Sequence, residues 1–548
     1  LGVEAMEYRK QREMTLPRMF LRNCRKSMSR SKVADSGGQD LSGGKLLLRT
    51  LIVKRLLARE VLADDETNVG VLLPPSVGGV LVNAALPLLR RVPVNLNYTA
   101  SSETINHCIR QAGIRHVLTS RLFMEKMKLQ IDSQIVYLED FKEKVGLADK
   151  LVAAIQAYAV PAWLLERSFG LTSVHADDLM TIVFTSGSTG EPKGVMLSHH
   201  NIHSNVDAID QMFQLKASDV LLGVLPFFHS FGFTGTTWTV LALEPKGVYH
   251  FNPLDSRVIG TLCEKHKATI MIATPTFLRG YLKRCDKEQL RSVDLVVVGA
   301  EKMPLELAQA FFEKFGARPI EGYGTTELSP VAAVNIPDHR SSATTQKGTK
   351  EGSVGRPLPG TSAKIVDPDT FVELGVDEPG LLLIKGPNVM QGYLNDPEKT
   401  AQVLRDGWYV TGDIAKIDAE GFITITDRAS RFSKIGGEMV PHIKVEEILH
   451  KIVGNGNGAE DEHELKVVVT AVPDEKKGER LVVVHRPLNK PVDQVLAELN
   501  SVGLPNLWIP SRDSFVEVPE IPHLGTGKVD LKGLKTLALE RFATNGKK

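Results

Sequence analysis

Short apolar runs alternate with stretches of helical periodicity between residues 68 and 171. The runs VGVLLP, VPVNLN, HVLTS and QIVYL have the length and composition of buried strands, and helical patterns lie between them. Strands that alternate with helices form parallel sheets with helices on their faces. The pattern therefore predicts an α/β fold for this part of the chain.

The pattern changes in the second half of the chain. The runs TIVF, ATIMIA and LVVV continue the buried strands, whereas GSVGRPLPG at 352–360 opens a β-rich section with strands near AKIV, LLLIKG and FITIT. The last hundred or so residues combine the runs ELKVVVTAVPD and RLVVVH with a helix near Val492 to Leu499. They predict a compact α/β unit at the C-terminal end.

Composition and charge narrow the class of protein. The 548 residues exceed a usual single domain, so we expect at least two. A net charge of +1 provides no overall positive potential that would indicate a nucleic-acid-binding protein. The four cysteines are scattered without a CxxC pair, which favours a reducing, cytoplasmic compartment over a disulfide framework or structural zinc. No signal peptide is visible, and because the chain begins with Leu1 we interpret it as processed, trimmed or a fragment.

Two segments have features of membrane-surface contacts. Residues 8–32 hold nine Lys/Arg against the acid Glu13, which suits anionic lipid or an acidic carrier protein, and a solvated basic linker is at least as good an interpretation. The apolar segment from Leu151 to Phe169 is broken by Pro161, and packing on the domain is favoured over a membrane contact. Peripheral association with the inner membrane therefore stays open.

One loop carries the clearest chemical signal. The strand TIVF leads into TSGSTGEPKG at 185–194, which is rich in hydroxyls and glycines and contains Lys193. Glycine lets the backbone approach closely, N–H and hydroxyl groups donate hydrogen bonds, and lysine adds positive charge, so the loop suits a polyphosphate. Its spacing differs from the common phosphate loop, G-x-x-x-x-G-K-[ST]. A flexible surface turn is the less favoured interpretation.

Three later motifs extend this chemistry. EGYGTTELS at 321–329 offers an aromatic face for adenine at Tyr323, threonines that can bond a phosphate, and Glu327, an oxygen ligand suited to Mg²⁺. WYVTGD places Asp413 at a strand end, where its carboxylate can accept both hydroxyls of a ribose. GTGK places Lys528 on a mobile loop that can reach a buried carboxylate.

Two histidines have competing interpretations. His229 lies in the aromatic motif LPFFHSFG at 225–232, where a satisfied core histidine is the alternative to a functional one. His250 and Asp255 form an H-x-x-x-x-D string, the signature of glycerolipid acyltransferases. Because the string lies between a strand-like YHF and a helix that begins near Ser256, we interpret it as coincidence.

In order and spacing these motifs closely resemble those of the acyl-adenylate-forming superfamily, which contains acyl-CoA synthetases, luciferases and peptide-synthetase adenylation domains. The resemblance runs from about Lys45 to Lys535 and rests on at least six ordered motifs. It implies an α/β fold with a large N-terminal adenylating domain, made of two α/β subdomains and a β-rich subdomain, and a small mobile C-terminal α+β domain. The implied boundaries are a basic N-terminal arm or linker over 1–44, the adenylating domain over 45–430 and the swinging domain over 431–548.

The resemblance implies ATP-dependent activation of a fatty acid with Mg²⁺. The carboxylate attacks the α-phosphate to form an acyl-adenylate, the C-terminal domain rotates, and a phosphopantetheine thiol takes the acyl group. The implied catalytic groups are Lys528, Glu327 (the Mg²⁺ ligand), Thr185 and Lys193. The implied nucleotide-binding residues are Thr185, Ser186, Gly187, Ser188, Thr189, Gly190, Lys193, Gly299, Ala300, Glu301, Glu321, Gly322, Tyr323, Gly324, Thr325, Thr326, Asp413, Arg428, Lys434 and Lys528. The implied acyl pocket and thiol channel comprise His229, Phe231, Gly232, Thr274, Gly436 and Gly437.

Within the superfamily the chain looks closest to the acyl-carrier-protein synthetase portion of bifunctional 2-acylglycerophosphoethanolamine acyltransferase/acyl-carrier-protein synthetases. The cues are PVNLNYTAS near Pro93, PFFHSFG and DRASRFSKIGGEMV. This resemblance implies acyl carrier protein as the thiol acceptor, with CoA as the alternative and a non-catalytic acyl-adenylate-binding regulator as a distant one. The chain departs from the family at Arg431, where most members have a hinge Asp or Lys, and at Gly436, where many CoA ligases are basic.

Overall fold

The computed structural model describes residues 14–185, 192–340, 347–428, 431–435, 438–454, 466–474, 477–502, 504–522 and 529–543. The α-helices are α1 (Leu16–Lys26), α2 (Gly43–Glu60), α3 (Val77–Leu88), α4 (Ser102–Gln111), α5 (Arg121–Met127), α6 (Phe141–Lys144), α7 (Leu147–Tyr158), α8 (Ala162–Ser168), α9 (His199–Phe213), α10 (Thr239–Ala242), α11 (Ser256–His266), α12 (Pro275–Arg284), α13 (Leu305–Phe315), α14 (Pro397–Val403), α15 (His442–Gly454), α16 (Val492–Ser501) and α17 (Leu531–Ala543).

The strands in chain order are β1 (Ser31–Asp35), β2 (Asp40–Ser42), β3 (Asn68–Val71), β4 (Val92–Asn95), β5 (His116–Thr119), β6 (Gln134–Tyr137), β7 (Leu179–Thr185), β8 (Lys193–Ser198), β9 (Val220–Gly223), β10 (Lys246–Tyr249), β11 (Ile270–Ala273), β12 (Leu295–Val298), β13 (Pro319–Gly324), β14 (Val331–Val334), β15 (Arg356–Pro357), β16 (Ser362–Val366), β17 (Gly380–Lys385), β18 (Gly392–Tyr393), β19 (Leu404–Arg405), β20 (Trp408–Ile417), β21 (Ile423–Arg428), β22 (Phe432–Ile435), β23 (Glu438–Pro441), β24 (Val467–Asp474), β25 (Gly478–His485) and β26 (Phe515–Glu517).

The chain divides into two compact units, and both combine helices with sheets. The α/β fold class, with a large unit of several sheets and a small C-terminal α+β unit, is therefore confirmed. The boundaries drawn from the sequence stay predictions. Unit 1 comprises Leu1–Lys364, Leu383–Val410 and Ile417–Thr424, and unit 2 comprises Ile365–Leu382, Thr411–Lys416 and Ile425–Lys548.

Unit 1 is built around a nine-stranded sheet in the order β15-β14-β13-β12-β11-β9-β10-β1-β2. The strands from β13 to β1 run parallel, and antiparallel strands lie at both ends. All four residues of β12, LVVV, are buried, as expected for a parallel strand covered on both faces. Leu262, Leu278 and Phe311 on the covering helices join the strand side chains in one core. The carboxyl ends of β9, β11, β12 and β13 consequently meet at one edge.

Unit 1 also contains a parallel sheet, β4-β3-β5-β6, and an antiparallel sheet, β18-β8-β7. A further sheet, which is not confined to unit 1, has the order β16-β17-β20-β19, with β21 beside β20. Serines before several helices accept the backbone N–H three residues on, which satisfies a donor that the first helical turn leaves free. These caps are Ser42, Ser76, Ser101, Ser120 and Ser198.

Residues 14–44 are folded into unit 1. Leu16, Phe20 and Cys24 lie on one face of α1 and are buried. The following strand, β1, pairs in parallel with β10 inside the nine-stranded sheet. The interpretation of residues 8–32 as a solvated linker is therefore wrong for the part that the structure describes, because apolar residues at helical spacing interrupt the basic ones and pack inward.

Unit 2 has the sheet β23-β22-β25-β24, with β26 parallel to β25. Side chains of β24 alternate between two cores. Val467 and Val469 pack with α15 and α16, whereas Val468 and Val472 pack with α17. This period of two explains why three consecutive valines, Val467 to Val469, can all be buried, because both faces of the strand are covered.

All four cysteines are buried free thiols. Burial raises the pKa of Cys24, Cys108 and Cys263 to about 12, so these thiols stay protonated at neutral pH. Among the helices that the structure describes, none is long and apolar enough to cross a bilayer.

A buried ion pair ties together the amino ends of the parallel strands. Arg340 donates from Nη1 and Nη2 to the two carboxylate oxygens of Asp219, before β9, at 2.9 and 2.8 Å. It also donates to Asp294, before β12, at 2.9 Å. Burial by itself would raise the pKa of Asp219, but hydrogen bonds led by that from Arg340 outweigh it and hold the pKa below its usual value.

We expect Arg340→Met to lower the free energy of unfolding by about 3 kcal/mol, because Asp219 would stay buried without its cation. Arg318→Met removes the exposed pair with Glu351 and should cost less than about 1 kcal/mol. Urea unfolding followed by tryptophan fluorescence measures both.

The pH dependence of unfolding provides a second test of the pair. Because the folded-state pKa of Asp219 is depressed, its contribution is present above the unfolded-state pKa, about 3.9, and is lost as the pH falls through the folded value. The difference between wild type and Arg340→Met should therefore shrink on acidification. Equal losses for Arg340→Met and Arg318→Met at neutral pH would contradict a structural role for the pair.

Candidate active site

The glycine- and hydroxyl-rich motif connects the strands of a hairpin. β7 and β8 pair antiparallel, and the last pair before the loop is Thr185 opposite Lys193. Buried Ile182 and Val183 anchor β7 in the core. The residues from Ser186 to Gly190 lie outside the described part of the chain, so their contacts with phosphate stay predictions. The structure does place Thr185 and Lys193, the two hairpin residues on either side of the loop.

Tyr393 completes a polar group beside this hairpin. β18 pairs with β8, which sets Tyr393 opposite Val195. Tyr393 Oη donates to Glu327 Oε1 at 2.8 Å, and Lys193 Nζ lies 5.3 Å from the centroid of the tyrosine ring. Sequence reasoning missed Tyr393, because GYLNDP carries no recognisable phosphate or metal signal and only the strand pairing brings it here.

The charges in this group are partly removed from water. Burial, and then the negative charge of Glu327, raise the pKa of Tyr393, so its hydroxyl remains a hydrogen-bond donor. Burial, and then nearby Lys399, lower the pKa of Lys193, while Glu327 and Asp396 act in the opposite direction. A polyanion beside Lys193 would favour its charged form.

Four of the predicted motifs of unit 1 lie at the carboxyl edge of the nine-stranded sheet. His229 follows β9, Thr274 follows β11, residues 299–301 follow β12, and residues 321–324 end β13. Ligands of parallel α/β sheets bind at this edge, where the loops after the strands meet. The strand order therefore brings together motifs that are about a hundred residues apart in the sequence.

The turn after β12 is held by two of the predicted carboxylates. Glu321 Oε1 accepts the backbone N–H of Met303 at 3.2 Å, and burial raises the pKa of Glu321. Glu301 Oε2 accepts Thr276 Oγ1 at 2.8 Å. Ala300 has a left-handed φ of 69°. Both acids thus shape the turn through their side chains, and a flat ligand would meet the backbone that they support.

Close backbone approach explains two glycines of the site. A Cβ at Gly324 would lie 1.8 Å from the carbonyl oxygen of Pro330, and one at Gly232 would lie 2.1 Å from that of Pro226. A side chain at either position would displace the backbone. Gly232 is therefore required by packing and does not itself leave open space.

The segment Phe231–Trp238 is π-helical, a conformation often found at functional sites. Ser230 Oγ lies 3.3 Å from Thr326 Oγ1, which joins this segment to the loop of Glu327. A Cβ at Gly235 would make ordinary contacts with Phe231, at 3.4 Å, and Ile272, at 3.6 Å. His229 is exposed, so the interpretation as a core histidine is wrong.

The pair His250 and Asp255 has a structural explanation. Asp255 caps α11 by accepting the N–H of Val258 at 3.4 Å. His250 Nδ1 lies 2.7 Å from Ser36 Oγ, and its Nε2 lies 3.7 Å from the Asp255 carboxylate. Helix capping and burial account for the H-x-x-x-x-D string without acyltransferase chemistry.

Unit 2 carries the remaining predicted residues. Asp413 is buried on β20, and its backbone N–H donates to Thr411 Oγ1 at 3.0 Å. Arg428 ends β21 and Lys434 stands opposite Met439 in the β22–β23 pair. Their side chains lie outside the described atoms, as do all atoms of Gly436, Gly437 and Lys528.

Arg431 does not present a free charge. Its guanidinium pairs with Glu446 on α15, and the arginine side chain is only 15% exposed. Glu446 Oε1 also accepts the N–H of Val469 at 2.6 Å. The charge of Arg431 is therefore balanced inside unit 2 and adds little to a basic surface for an acidic partner.

Comparison with known proteins identifies the family. A family model described as AMP-binding enzyme matches residues 20–394. The long-chain-fatty-acid–CoA ligase of Bacillus subtilis (strain 168) is 33% identical over 415 residues, which are 73% of this chain and 70% of the relative. ATP-bound MatB from Rhodopseudomonas palustris has a TM-score of 0.73 at 25% identity, over 96% of this chain and 99% of that chain. O-succinylbenzoate coenzyme A synthetase (MenE) from Bacillus subtilis, in complex with ATP and magnesium ion, has a TM-score of 0.73 at 22% identity, over 94% and 99%.

The chain therefore belongs to the AMP-binding enzyme family. This confirms the superfamily predicted from the motifs and, with it, an enzyme of the AMP-forming acid–thiol ligase class. The donor set also fits Mg²⁺, which is commonly held by one or two carboxylates together with substrate phosphates. Glu327 supplies such a carboxylate, with one oxygen fixed by Tyr393. In the described part of the chain no three His, Cys, Asp or Glu residues form a cage of protein ligands alone.

We expect Tyr393→Phe to lower kcat/KM for ATP about tenfold and to raise the Mg²⁺ concentration needed for half-maximal rate. The lost hydrogen bond is to a carboxylate, and such a bond is worth about 1.5–3 kcal/mol. Acid-dependent ATP–pyrophosphate exchange, titrated with Mg²⁺, measures both effects. Tyr281→Phe is the matched control, since this buried hydroxyl donates to Pro253 O at 2.8 Å outside the group. A similar loss in both variants would refute a role for Tyr393 in orienting Glu327.

Proposed function

We propose that the protein activates a medium- or long-chain fatty acid with ATP and Mg²⁺ and ligates it to CoA. The observation that carries the proposal is the group of Lys193, Tyr393 and Glu327 beside the hairpin residue Thr185. It sets a partly dehydrated cation and an oriented carboxylate next to a loop suited to polyphosphate. The fatty-acid–CoA ligase named among the relatives supports the same substrates.

The first step needs charge stabilisation more than a general base, because a fatty carboxylate is already ionised at neutral pH. Lys193 would bind phosphate oxygens, and Thr185 would donate a hydrogen bond to them. Glu327 would hold Mg²⁺, which when bound neutralises phosphate charge, and Tyr393 keeps that carboxylate in place. Lys528, outside the described residues, stays our candidate for bridging the fatty carboxylate and the α-phosphate.

The nucleoside would lie along the carboxyl edge of the sheet. Backbone groups of residues 299–301 and the ring of Tyr323 would contact adenine. Asp413 would accept hydrogen bonds from the ribose hydroxyls. The family resemblance implies that Arg428, which follows Asp413 in the sequence, also contacts the nucleotide. Rotation of the small unit between the two half-reactions, bringing Gly436 and Gly437 to the thiol, also stays a proposal.

Acyl carrier protein is the second candidate acceptor. The sequence cues PVNLNYTAS and PFFHSFG, together with the neutral residue Gly436, favour it. The internal pairing of Arg431 with Glu446 removes one part of that argument, since an acidic carrier would need a basic surface. We therefore place CoA first. Peripheral membrane association through residues 8–32 or 151–169 is likewise a proposal.

Offering the two acceptors separately tests this order. With ATP, Mg²⁺ and radiolabelled dodecanoate, we expect kcat/KM for CoA to exceed that for holo acyl carrier protein at least about tenfold. Pyrophosphate exchange without acceptor is the control, because it reports the first half-reaction alone. Efficient transfer to carrier protein with CoA inert would make the protein an acyl-carrier-protein synthetase. Absence of exchange with any fatty acid would reject fatty-acid activation.

The fatty chain would enter the space between the π-helical segment and β11. Phe231 and Ile272 border this space, and Gly235 faces both without a side chain. Each buried methylene is worth about 0.8 kcal/mol, so kcat/KM should rise about fourfold per carbon until the pocket ends.

We expect Gly235→Leu to shift the preference toward shorter acids, because an isobutyl group fills the space beside Phe231. Activity with dodecanoate should fall at least about tenfold relative to hexanoate. Gly235→Ala is the matched control, since its methyl group makes only ordinary contacts. Competition between the two acids in one reaction measures the ratio. A uniform decrease for both acids would place the chain elsewhere.

A further inference from the structure

The helix α7 buries its small residues and exposes its large apolar ones. Ala153 and Ala157 are fully buried on the side facing α2, with Asp149 on the same face. Leu147 and Leu151, on the opposite face, are 83% and 60% exposed. A helix on the surface of a globular domain normally has the reverse arrangement, with its large apolar face packed inward. The pattern is not explained by the fold of unit 1.

The exposed face continues across Pro161 onto α8. We define the apolar ridge as Leu147, Leu151, Ile155, Tyr158, Trp163 and Leu164, all of them exposed. The first four recur at intervals of three or four residues and so form one stripe along α7. Arg25 on α1 donates to the carbonyl oxygen of Gln156 at 2.9 Å, which fixes the end of α7 before the turn. The ridge is therefore a surface of ordered helices.

The charges around the ridge are sorted by sign. The acids of the two helices, Asp149 and Glu166, are turned inward and paired with arginines: Arg59 contacts Asp149 at 2.9 Å, and Arg22 contacts Glu166 at 2.7 Å. Arg18 also contacts Glu166 at 2.9 Å. The acids that would repel an anionic surface are thus neutralised within unit 1.

The exposed charges of residues 142–168 are mainly basic. Lys142, Lys144, Lys150 and Arg167 are exposed, against the single exposed acid Glu143. Exposed large apolar residues flanked by Lys and Arg, with Tyr and Trp among them, are the composition of helices that lie in a membrane interface. An apolar face flanked by one sign of charge also complements an anionic bilayer better than it would a second copy of the same basic surface.

We propose that the apolar ridge docks the protein on the surface of an anionic lipid bilayer. The helices would lie in the headgroup region, with leucine and isoleucine side chains inserted, aromatic rings at the interface, and the flanking lysines and arginine on lipid phosphates. The ridge contains none of the candidate active-site residues. Its use rests on the proposed function, because long fatty acids partition into bilayers and a docked enzyme would meet its substrate there.

Vesicle binding of the full chain, without ATP or fatty acid, tests the ridge. Protein is sedimented with vesicles of phosphatidylcholine alone or of an equimolar mixture with phosphatidylglycerol. We expect binding to the anionic vesicles, and Leu147→Gln with Leu151→Gln should lower the partition coefficient at least about tenfold. The matched control is Leu122→Gln with Leu305→Gln, two leucines 75% and 55% exposed on other helices, which should leave binding unchanged.

Variants that remove basic residues measure the electrostatic contribution to vesicle binding. Lys150→Gln with Arg167→Gln should weaken binding to anionic vesicles about fivefold for each charge removed. Lys287→Gln with Arg291→Gln, exposed basic residues outside the ridge, is the control. Trp163 should shift its emission to shorter wavelength on binding, and Trp163→Phe should abolish that shift, which locates the contact on α8.

Three results would overturn the proposal. One is equal binding of wild type and the Leu147/Leu151 variant, and another is equal loss in both leucine doubles. The third is that the wild type does not bind vesicles but forms a concentration-dependent dimer, and that the Leu147/Leu151 variant is monomeric. The ridge would then join two copies of the chain. Pyrophosphate exchange with a soluble short-chain acid should be unchanged in the ridge variants. This measurement distinguishes a failure of membrane docking from a failure of the proposed enzyme function.

Discussion

Parallel pairing of β9, β11, β12 and β13 is the constraint on which the rest of unit 1 depends. Because these strands share a direction, the loops that follow them meet at one edge of the sheet. Apolar residues fill the strands, and glycines, hydroxyls and carboxylates follow them. Chemistry that is dispersed from residue 226 to residue 327 is thereby gathered into one place. The opposite edge is held by the ion pair of Arg340 and Asp219.

The protein treats enclosed charges in two ways. Arg340 with Asp219, Arg18 with Glu166 and Arg431 with Glu446 are pairs whose partners lie within their own unit. They support packing, and removing one member would leave a charge uncompensated. The cation of Lys193 is different, because burial lowers its pKa and the nearby carboxylates of Glu327 and Asp396 oppose that shift only in part. Such a cation is stabilised further by a polyanionic ligand.

The apolar ridge depends on the same sorting of charge. The pairs of Arg22 with Glu166 and of Arg59 with Asp149 hold the acids of α7 and α8 away from the surface. The exposed basic residues of segment 142–168 are therefore not offset by the acids of α7 and α8. The sequence of α7 is typical of a helix that packs in a core. Its leucines form an exposed surface instead, because alanines face α2.

The sequence alone determined the α/β class, the family and buried parallel strands such as β3, β5 and β12, because these depend on local periodicity and on motifs that are contiguous in the chain. It also located Thr185, Lys193 and Glu327 as candidates. Tertiary structure decided the rest. Tyr393 joins the site only through the pairing of β18 with β8, and Arg431 proves internally paired only when α15 folds against β24. Which face of α7 is outward was likewise undecided, since periodicity shows that a helix has an apolar stripe but not whether a partner covers it.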